Sequence, residues 1–180
     1  MKILAVSGSP RKGNTEWMLT RLMELLAENG HQTELLLLRK LTVKTCNGCL
    51  TCETGGKQRK GTCNIGDDMQ DIYPKLIEAD LIILGTPVYF DMLSGMLKNF
   101  MDRTCAIWPK LAGKKLAGVA VAEEGIGRAI DNLKTYANIC GMDWAGQVTA
   151  LAKLPRSVAN DPEVEKEIVR LAGKLERAGV

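Results

Sequence analysis

The sequence is poor in histidine, in aromatic residues and in net charge. His31 is the single histidine, aromatic residues make up 4% of the chain, and the formal net charge is +3. One histidine, at a predicted surface turn, excludes a Ser-His-Asp triad and a metal site built from histidines. The small, interspersed charge gives no reason to expect a nucleic acid or a membrane surface as a partner.

Long apolar runs are also missing. No run approaches the length of a membrane span, and the chain enters a strand pattern without a basic leader, so we expect a cytoplasmic protein. Its 180 residues are enough for an ordinary core, and we expect a single domain over residues 1–180. Six cysteines in a cytoplasmic chain indicate metal or redox chemistry before structural disulfides.

A donor-rich loop directly after the first strand pattern is the most informative feature present. The apolar run Lys2–Val6 is followed by the loop Ser7–Thr15 and then by apolar residues at helical spacing. This order directs backbone N–H groups and a helix N-terminus at one point, which suits a phosphate group. We expect contacts to that phosphate from the side chains of Ser7, Ser9, Arg11, Asn14 and Thr15.

The spacing within this loop excludes two familiar nucleotide motifs. Gly8 and Gly13 have the separation of a P-loop, but Asn14 stands where the phosphate-binding lysine belongs. The dinucleotide fingerprint also fails, because Ser9 and Pro10 follow Gly8. A monophosphate is the better prediction, and a plain strand-to-helix turn with polar caps is the alternative.

Strand and helix patterns alternate along the chain. Strands are predicted over residues 2–7, 33–38, 80–85, 116–122 and 146–151, and helices over residues 14–29, 68–78, 94–105, 126–140 and 161–178. This alternation predicts an α/β three-layer sandwich in which helices cover both faces of a five-stranded parallel sheet. A phosphate loop after the first strand favours the flavodoxin-like order 2-1-3-4-5, with a ligand beyond the carboxyl ends of the strands.

Two further segments carry a family resemblance. Gly85–Phe90 and Ser94–Arg103, taken with the Ser7–Thr15 loop, resemble the NADPH-dependent FMN reductase family of flavodoxin-like proteins over about residues 2–150. The resemblance implies that the FMN phosphate is held by Ser9, Arg11, Gly13, Asn14 and Thr15. It also implies that the isoalloxazine ring is lined by Pro87, Val88, Tyr89 and Phe90.

A third loop, Glu123–Gly127, stands where the family carries a glycine-rich loop beside the flavin. The resemblance implies contacts from Glu123 and Gly125, although Glu123 and Glu124 depart from the usual pattern. For Tyr89 and Phe90 the alternative is ordinary packing in the core. We assign no catalytic residue, and we expect Asp102 and Arg103 to form an ion pair or an interface contact.

A cysteine-rich insert at about residues 42–66 interrupts the strand and helix rhythm. Cys46, Cys49 and Cys52 form a C-x2-C-x2-C run, and Cys63 follows. The run resembles the motif of the iron-sulfur flavoproteins, which implies FMN and a 4Fe–4S cluster held by these four thiolates. The gap between Cys52 and Cys63 is longer than is usual in that branch, and zinc, free thiols or a disulfide are alternatives. Cys105 and Cys140 are predicted to be small buried hydrophobic residues.

Two mechanisms follow from these expectations. The first is an iron-sulfur flavoprotein that transfers electrons between FMN and the cluster. The second is an NAD(P)H-dependent FMN or quinone reductase without a cluster, and a structural zinc or interaction module is a third possibility. The expected partner is a small-molecule or protein redox partner, and the resemblance implies a homodimer or homotetramer.

Overall fold

The computed structural model describes residues 1–53 and 63–177. The strands are β1 (Lys2–Ser7), β2 (Gln32–Leu37), β3 (Leu81–Tyr89), β4 (Met92–Leu93), β5 (Lys115–Ala122) and β6 (Asp143–Leu151). The helices are α1 (Asn14–Glu28), α2 (Met69–Glu78), α3 (Gly95–Arg103), α4 (Ala129–Ile139) and α5 (Pro162–Arg177). Short 3₁₀ turns lie at Leu38–Lys40, Thr104–Ala106, Trp108–Leu111 and Ser157–Asn160.

The sheet has the predicted topology. Its order is β2-β1-β3-β5-β6, and each of these pairs is parallel. Numbered among the parallel strands alone, this is the order 2-1-3-4-5, so the flavodoxin-like prediction is confirmed. The structure adds the short strand β4, which folds back antiparallel on the end of β3 and pairs Tyr89 with Met92.

Two strand boundaries differ from the predicted ones by more than one residue. Strand β3 continues to Tyr89 rather than ending at residue 85, because Thr86 and Pro87 pair with β5 and Val88 and Tyr89 pair with β4. Strand β6 begins at Asp143 rather than at residue 146, and its pairing with β5 shifts register between Leu116 and Ala117. Both extensions depend on pairing with another strand, which the local apolar pattern does not encode.

The apolar core lies in two layers, one on each face of the sheet. Along β1, Leu4 and Val6 face the layer that contains α2, α3 and α4, while Ile3 and Ala5 face the layer that contains α1 and α5. All four side chains are buried, as expected for a strand covered on both faces. The covered sheet leaves the carboxyl ends of its strands as the natural place for a site. None of the helices in the described ranges is long and apolar enough to cross a membrane.

Candidate functional site

A polar cleft of about 150 Å³ opens at the carboxyl ends of β1, β3, β5 and β6. It is lined by Ser9, Arg11, Asn14, Thr15, Pro87, Val88, Tyr89, Val121, Ala122, Glu123, Ala152 and Lys153. The cleft brings together residues from all three predicted loops. Ser7, Gly13, Phe90 and Gly125 were also predicted as site residues, and they lie outside this lining.

The loop after β1 forms one end of the cleft and is fixed by the neighbouring strand and helix. The amide of Gly8 donates to the carbonyl oxygen of Gly85 at 2.8 Å, and Ser94 Oγ donates to the carbonyl oxygen of Gly8 at 2.7 Å. Ser94 Oγ also accepts the amide of Leu97 at 3.1 Å, so the same hydroxyl caps the start of α3. The loop is therefore held in place independently of any ligand.

The N-terminus of α1 points to this end of the cleft without a side-chain cap. Gly13 is the capping residue and offers no side-chain acceptor to the first amides of the helix. Ser9 Oγ donates to the carbonyl oxygen of Arg11 at 2.8 Å, while the side chain of Thr15 is almost completely buried against the cleft floor. An uncapped helix start beside an arginine is suited to an anion.

Asn14 has a structural task in addition to lining the cleft. Its Nδ2 donates to the carbonyl oxygen of Leu154 at 2.9 Å, and its Oδ1 accepts the amide of Val158 at 3.4 Å. The side chain thereby ties the loop after β1 to the segment after β6. Ser7 is buried as well, and its Oγ accepts the amide of Ser9 at 3.4 Å.

A partly buried ion pair lies just behind the uncapped helix start. Glu16, in the first turn of α1, accepts hydrogen bonds from Arg39 Nε at 3.0 Å and from Arg39 Nη2 at 3.1 Å. The hydrogen bonds to Glu16 raise the pKa of Arg39. The guanidinium of Arg39 compensates the negative charge of Glu16 beside the proposed anion site. The sequence pattern did not indicate this ion pair, because its two partners come from separate elements.

A second part of the cleft wall is the last part of β3, where Pro87, Val88 and Tyr89 lie. Beyond it, Phe90 and Asp91 form the two-residue turn into β4, with φ values of 49° and 62°. Such turns normally carry glycine, asparagine or aspartate, so the backbone of Phe90 is held in a costly conformation here. The Phe90 side chain is fully exposed at 101%, which excludes core packing for this residue, and Tyr89 is 46% exposed.

The third predicted loop supports the β3–β4 turn. Gly127, at φ 52°, lies so close to Asp91 that an added Cβ would be 2.5 Å from its Cα, and the amide of Arg128 donates to the carbonyl oxygen of Asp91 at 2.6 Å. Glu123 reaches the cleft, where its Oε1 is 3.7 Å from Lys153 Nζ. Lys153 was missed by sequence reasoning, although its position just after the last strand points to the same edge of the sheet.

The four predicted cluster ligands lie on the insert that follows β2. Cys46 and Cys49 are exposed, Cys52 and Cys63 are partly buried against the core, and all four thiols are free. Thr51 Oγ1 donates to Cys49 Sγ at 3.3 Å, and this hydrogen bond lowers the pKa of Cys49. Across residues 1–53 and 63–177, no three His, Cys, Asp or Glu side chains are close enough together to hold one metal ion. The structure therefore does not gather these thiols around a common point.

A fifth cysteine lies beside the insert. The Cys105 thiol is only partly buried, and its Sγ donates to Glu53 Oε1 at 3.2 Å. Burial, the carboxylate of Glu53 and the neighbouring Cys52 raise the pKa of Cys105 to about 12. The prediction of a small buried hydrophobic residue is confirmed for Cys140, whereas Cys105 is only partly buried and hydrogen-bonded to a carboxylate.

The fold and the cleft define a flavodoxin-like protein. Solved structures with the same architecture include a Trp repressor binding protein from Bacillus subtilis and a flavodoxin from the domain Archaea. The first has a TM-score of 0.69 at 20% sequence identity, and its alignment covers 94% of this chain and 98% of the chain in that structure. The second has a TM-score of 0.64 at 18% sequence identity, and its alignment covers 98% of this chain and 99% of the chain in that structure.

Sequence comparison narrows this class to one family. The NADPH-dependent FMN reductase model matches residues 1–155, and the chain belongs to that family. Membership supports an FMN-binding flavoprotein of the oxidoreductase class.

Several curated relatives are named iron-sulfur flavoproteins. The one from Methanosarcina thermophila is 30% identical over 97% of this chain and 92% of its own length. One from Archaeoglobus fulgidus is 39% identical, but the match spans 58% of this chain and 49% of the relative. Similarly, a relative from Methanocaldococcus jannaschii is 43% identical, and the match spans 58% of this chain and 52% of the relative. The matched segment is thus about half the length of these last two relatives.

Proposed function

We propose that this protein is an iron-sulfur flavoprotein that transfers electrons between FMN and a 4Fe–4S cluster. The observation that carries the proposal is the cleft itself. It brings an uncapped helix N-terminus and Arg11 together with the Pro87–Tyr89 wall. FMN has matching chemistry, with a phosphate at one end and a flat apolar ring with a polar edge at the other.

The residues of the cleft suit distinct parts of FMN. Arg11 and Thr15, with the backbone of Gly13 and Asn14, would hold the phosphate, and Ser9 would join them when its hydroxyl turns from the carbonyl oxygen of Arg11. The Asn14 side chain would act by fixing the loop, since its amide already donates to Leu154. The bound flavin supplies the ability to accept two electrons and release them singly.

The ring end is built from the last residues of β3. Pro87, Val88 and Tyr89 would line the isoalloxazine ring, and Glu123 would lie at the rim of the cleft. Phe90 and Gly125 would flank the ring from the β3–β4 turn and the third loop. Ser7 would contribute indirectly, by accepting the amide of Ser9 beneath the phosphate site.

Cys46, Cys49, Cys52 and Cys63 are the proposed cluster ligands. Free thiols in a C-x2-C-x2-C run with a fourth cysteine are a donor set that iron-sulfur clusters use, and the names of the curated relatives agree with it. The cluster supplies one-electron carriage. Because the thiols are not gathered in the structure, binding a cluster requires the insert to close around it.

The alternative proposal is an NAD(P)H-dependent FMN or quinone reductase without a cluster. The exposure of Cys46 and Cys49, together with the separation of the thiols, favours it. In either mechanism we propose one domain over residues 1–180, a small-molecule or protein redox partner, a homodimer or homotetramer, and a cytoplasmic location.

An anaerobic preparation distinguishes the two mechanisms. Flavin absorption with a broad iron-sulfur shoulder, and acid-labile sulfide equimolar with iron, supports the first. Flavin bands without iron support the second, and a colourless protein that FMN cannot reconstitute contradicts both.

The phosphate contact has its own test. Arg11→Ala should weaken FMN binding by about 1.5–3 kcal/mol, roughly tenfold or more, because a charge-assisted hydrogen bond is lost. Lys12→Ala is the matched control, since Lys12 is the adjacent cation and does not line the cleft. Equal FMN affinity in wild type and Arg11→Ala would show that the phosphate is held elsewhere.

A further inference from the structure

A lysine and a glutamate come together where strands β5 and β6 end. The amide of Ala152 donates to the carbonyl oxygen of Ala122 at 2.7 Å, which extends the pairing of the two strands to the edge of the cleft. Glu123 and Lys153 are the next residues of the two strands, and both line the cleft. Lys153 Nζ lies 3.7 Å from Glu123 Oε1, so the two side chains form an ion pair without a hydrogen bond.

The backbone of Lys153 is fixed beside the start of α1. The carbonyl oxygen of Leu154 accepts Asn14 Nδ2 at 2.9 Å, and Asn14 is the first residue of that helix. Ser157 Oγ donates to the same carbonyl oxygen at 2.8 Å. Lys153 is thus held between the strand pair on one side and the uncapped helix N-terminus on the other. This helix N-terminus is where we place the FMN phosphate, and a lysine carries its charge on a long, flexible stem.

The Lys153–Glu123 pair is weak enough to open. The side chains are 68% and 65% exposed, and an exposed ion pair adds little to the stability of a fold. The nearby Glu16–Arg39 pair differs in both respects, since its side chains are 11% and 21% exposed and two hydrogen bonds join them. Lys153 can therefore exchange Glu123 for another anion, whereas Arg39 stays with Glu16.

The charges that line the cleft match a phosphate monoester once this exchange has taken place. Arg11, Lys153 and Glu123 are the charged residues of the lining. A phosphate monoester carries a charge of about −1.5 to −2 at pH 7. Arg11 and the partial positive charge of about one half at the start of α1 fall short of a dianion, and the ammonium group of Lys153 supplies the missing charge.

We propose that Lys153 is the second cation for the FMN phosphate and that Glu123 competes with the phosphate for it. The inference rests on the proposed binding of FMN in the cleft and is independent of the cluster. It makes Lys153 a residue that selects FMN over riboflavin, which has the same ring and ribityl chain but no phosphate. Riboflavin offers Lys153 no anion in exchange for Glu123.

Titration of FMN and of riboflavin into flavin-free, full-length protein tests this role through flavin fluorescence. Lys153→Met should weaken FMN binding about tenfold and leave riboflavin binding unchanged, because one charge-assisted contact to the phosphate is lost. Lys153→Arg should keep most of the FMN affinity, since it retains a cation. Glu123→Gln should tighten FMN binding by about two- to fivefold, and this gain should shrink in the Lys153→Met background, where no ammonium group is left to release.

Lys166→Met is the matched control. It removes the same charge and breaks a similarly exposed pair, with Glu163 on α5, and it should leave both affinities unchanged. Unchanged FMN affinity in Lys153→Met, or an equal loss for FMN and riboflavin, overturns the phosphate contact. An equal gain from Glu123→Gln in both backgrounds overturns the competition. In each of these cases the FMN function stands. A wild-type protein that binds neither flavin overturns the FMN function together with the inference, and that result is visible before any variant is compared.

Discussion

Gly8 should be the least replaceable glycine of the proposed phosphate loop. A Cβ on Gly8 would lie 2.5 Å from Leu97 Cβ, 3.0 Å from Ser94 Oγ and 3.2 Å from the carbonyl oxygen of Gly85. None of these three atoms lies at the end of a flexible side chain. Gly8→Ala therefore forces the loop, the start of α3 or the end of β3 to move.

The magnitude follows from two losses at this point. Overpacking a tight site by one methyl group costs about 1–3 kcal/mol. If the loop moves away, it also loses the hydrogen bonds from Gly8 to Gly85 and from Ser94 to Gly8, at about 0.5–1.5 kcal/mol each. We expect a destabilisation of at least about 1 kcal/mol and weaker FMN binding, because the displaced loop carries Ser9 and Arg11.

Urea unfolding and FMN titration measure the two effects. Gly95→Ala is the matched control, since Gly95 directly follows Ser94, has open space around its Cα and lies in the first turn of α3. Alanine should be neutral or slightly stabilising there. If Gly8→Ala unfolded at the wild-type midpoint and bound FMN as tightly, the close approach of the loop to α3 would not matter for either property.

Three further predictions concern other parts of the fold. Gly127→Ala should destabilise the protein by about 1–3 kcal/mol in urea unfolding, because its Cβ would meet the backbone of Asp91 at 2.5 Å and φ is 52°; wild-type stability would contradict this. Leu22→Ala, at a fully buried position of α1, should cost about 2–5 kcal/mol by the same assay, and a loss near zero would contradict its place in the core. Burial alone would raise the pKa of Asp67, but hydrogen bonds from Arg103 and from the amides of Lys44 and Met69 outweigh it and lower this pKa. Asp67 therefore stabilises the fold above the unfolded pKa of about 3.9, and that contribution should disappear as the pH falls further; an unfolding free energy independent of pH below about 4 would contradict it.

The sequence was sufficient to predict the sheet order and the layers. Apolar runs such as Leu81–Leu84 mark strands buried on both faces, and the alternation with helical patterns leaves few topologies. Strand β4 and the extension of β3 to Tyr89 were not predictable in this way. They depend on a turn with positive φ at Phe90 and Asp91, and phenylalanine is not a residue that such turns favour.

For the site, the sequence indicated which loops meet but not how their side chains are used. The loop residues Ser9, Arg11 and Thr15 do line one cleft with Pro87 and Tyr89. That these residues bind FMN stays a prediction. The engagement of Asn14 with the segment after β6 and of Arg103 with Asp67 depends on contacts between distant parts of the chain, so no local motif records them.

The two hydrogen bonds of the Asn14 side chain have a practical consequence for anyone who dissects this protein. The family match ends at residue 155, which invites truncation there. Yet Asn14 accepts the amide of Val158, and Arg21 Nη2 lies 2.8 Å from Glu165 Oε1 on α5. A fragment that ends at the boundary of homology would lose the Val158 hydrogen bond behind the proposed cofactor loop and would expose the apolar side of α1 to water, so the boundary of homology is not a boundary of folding.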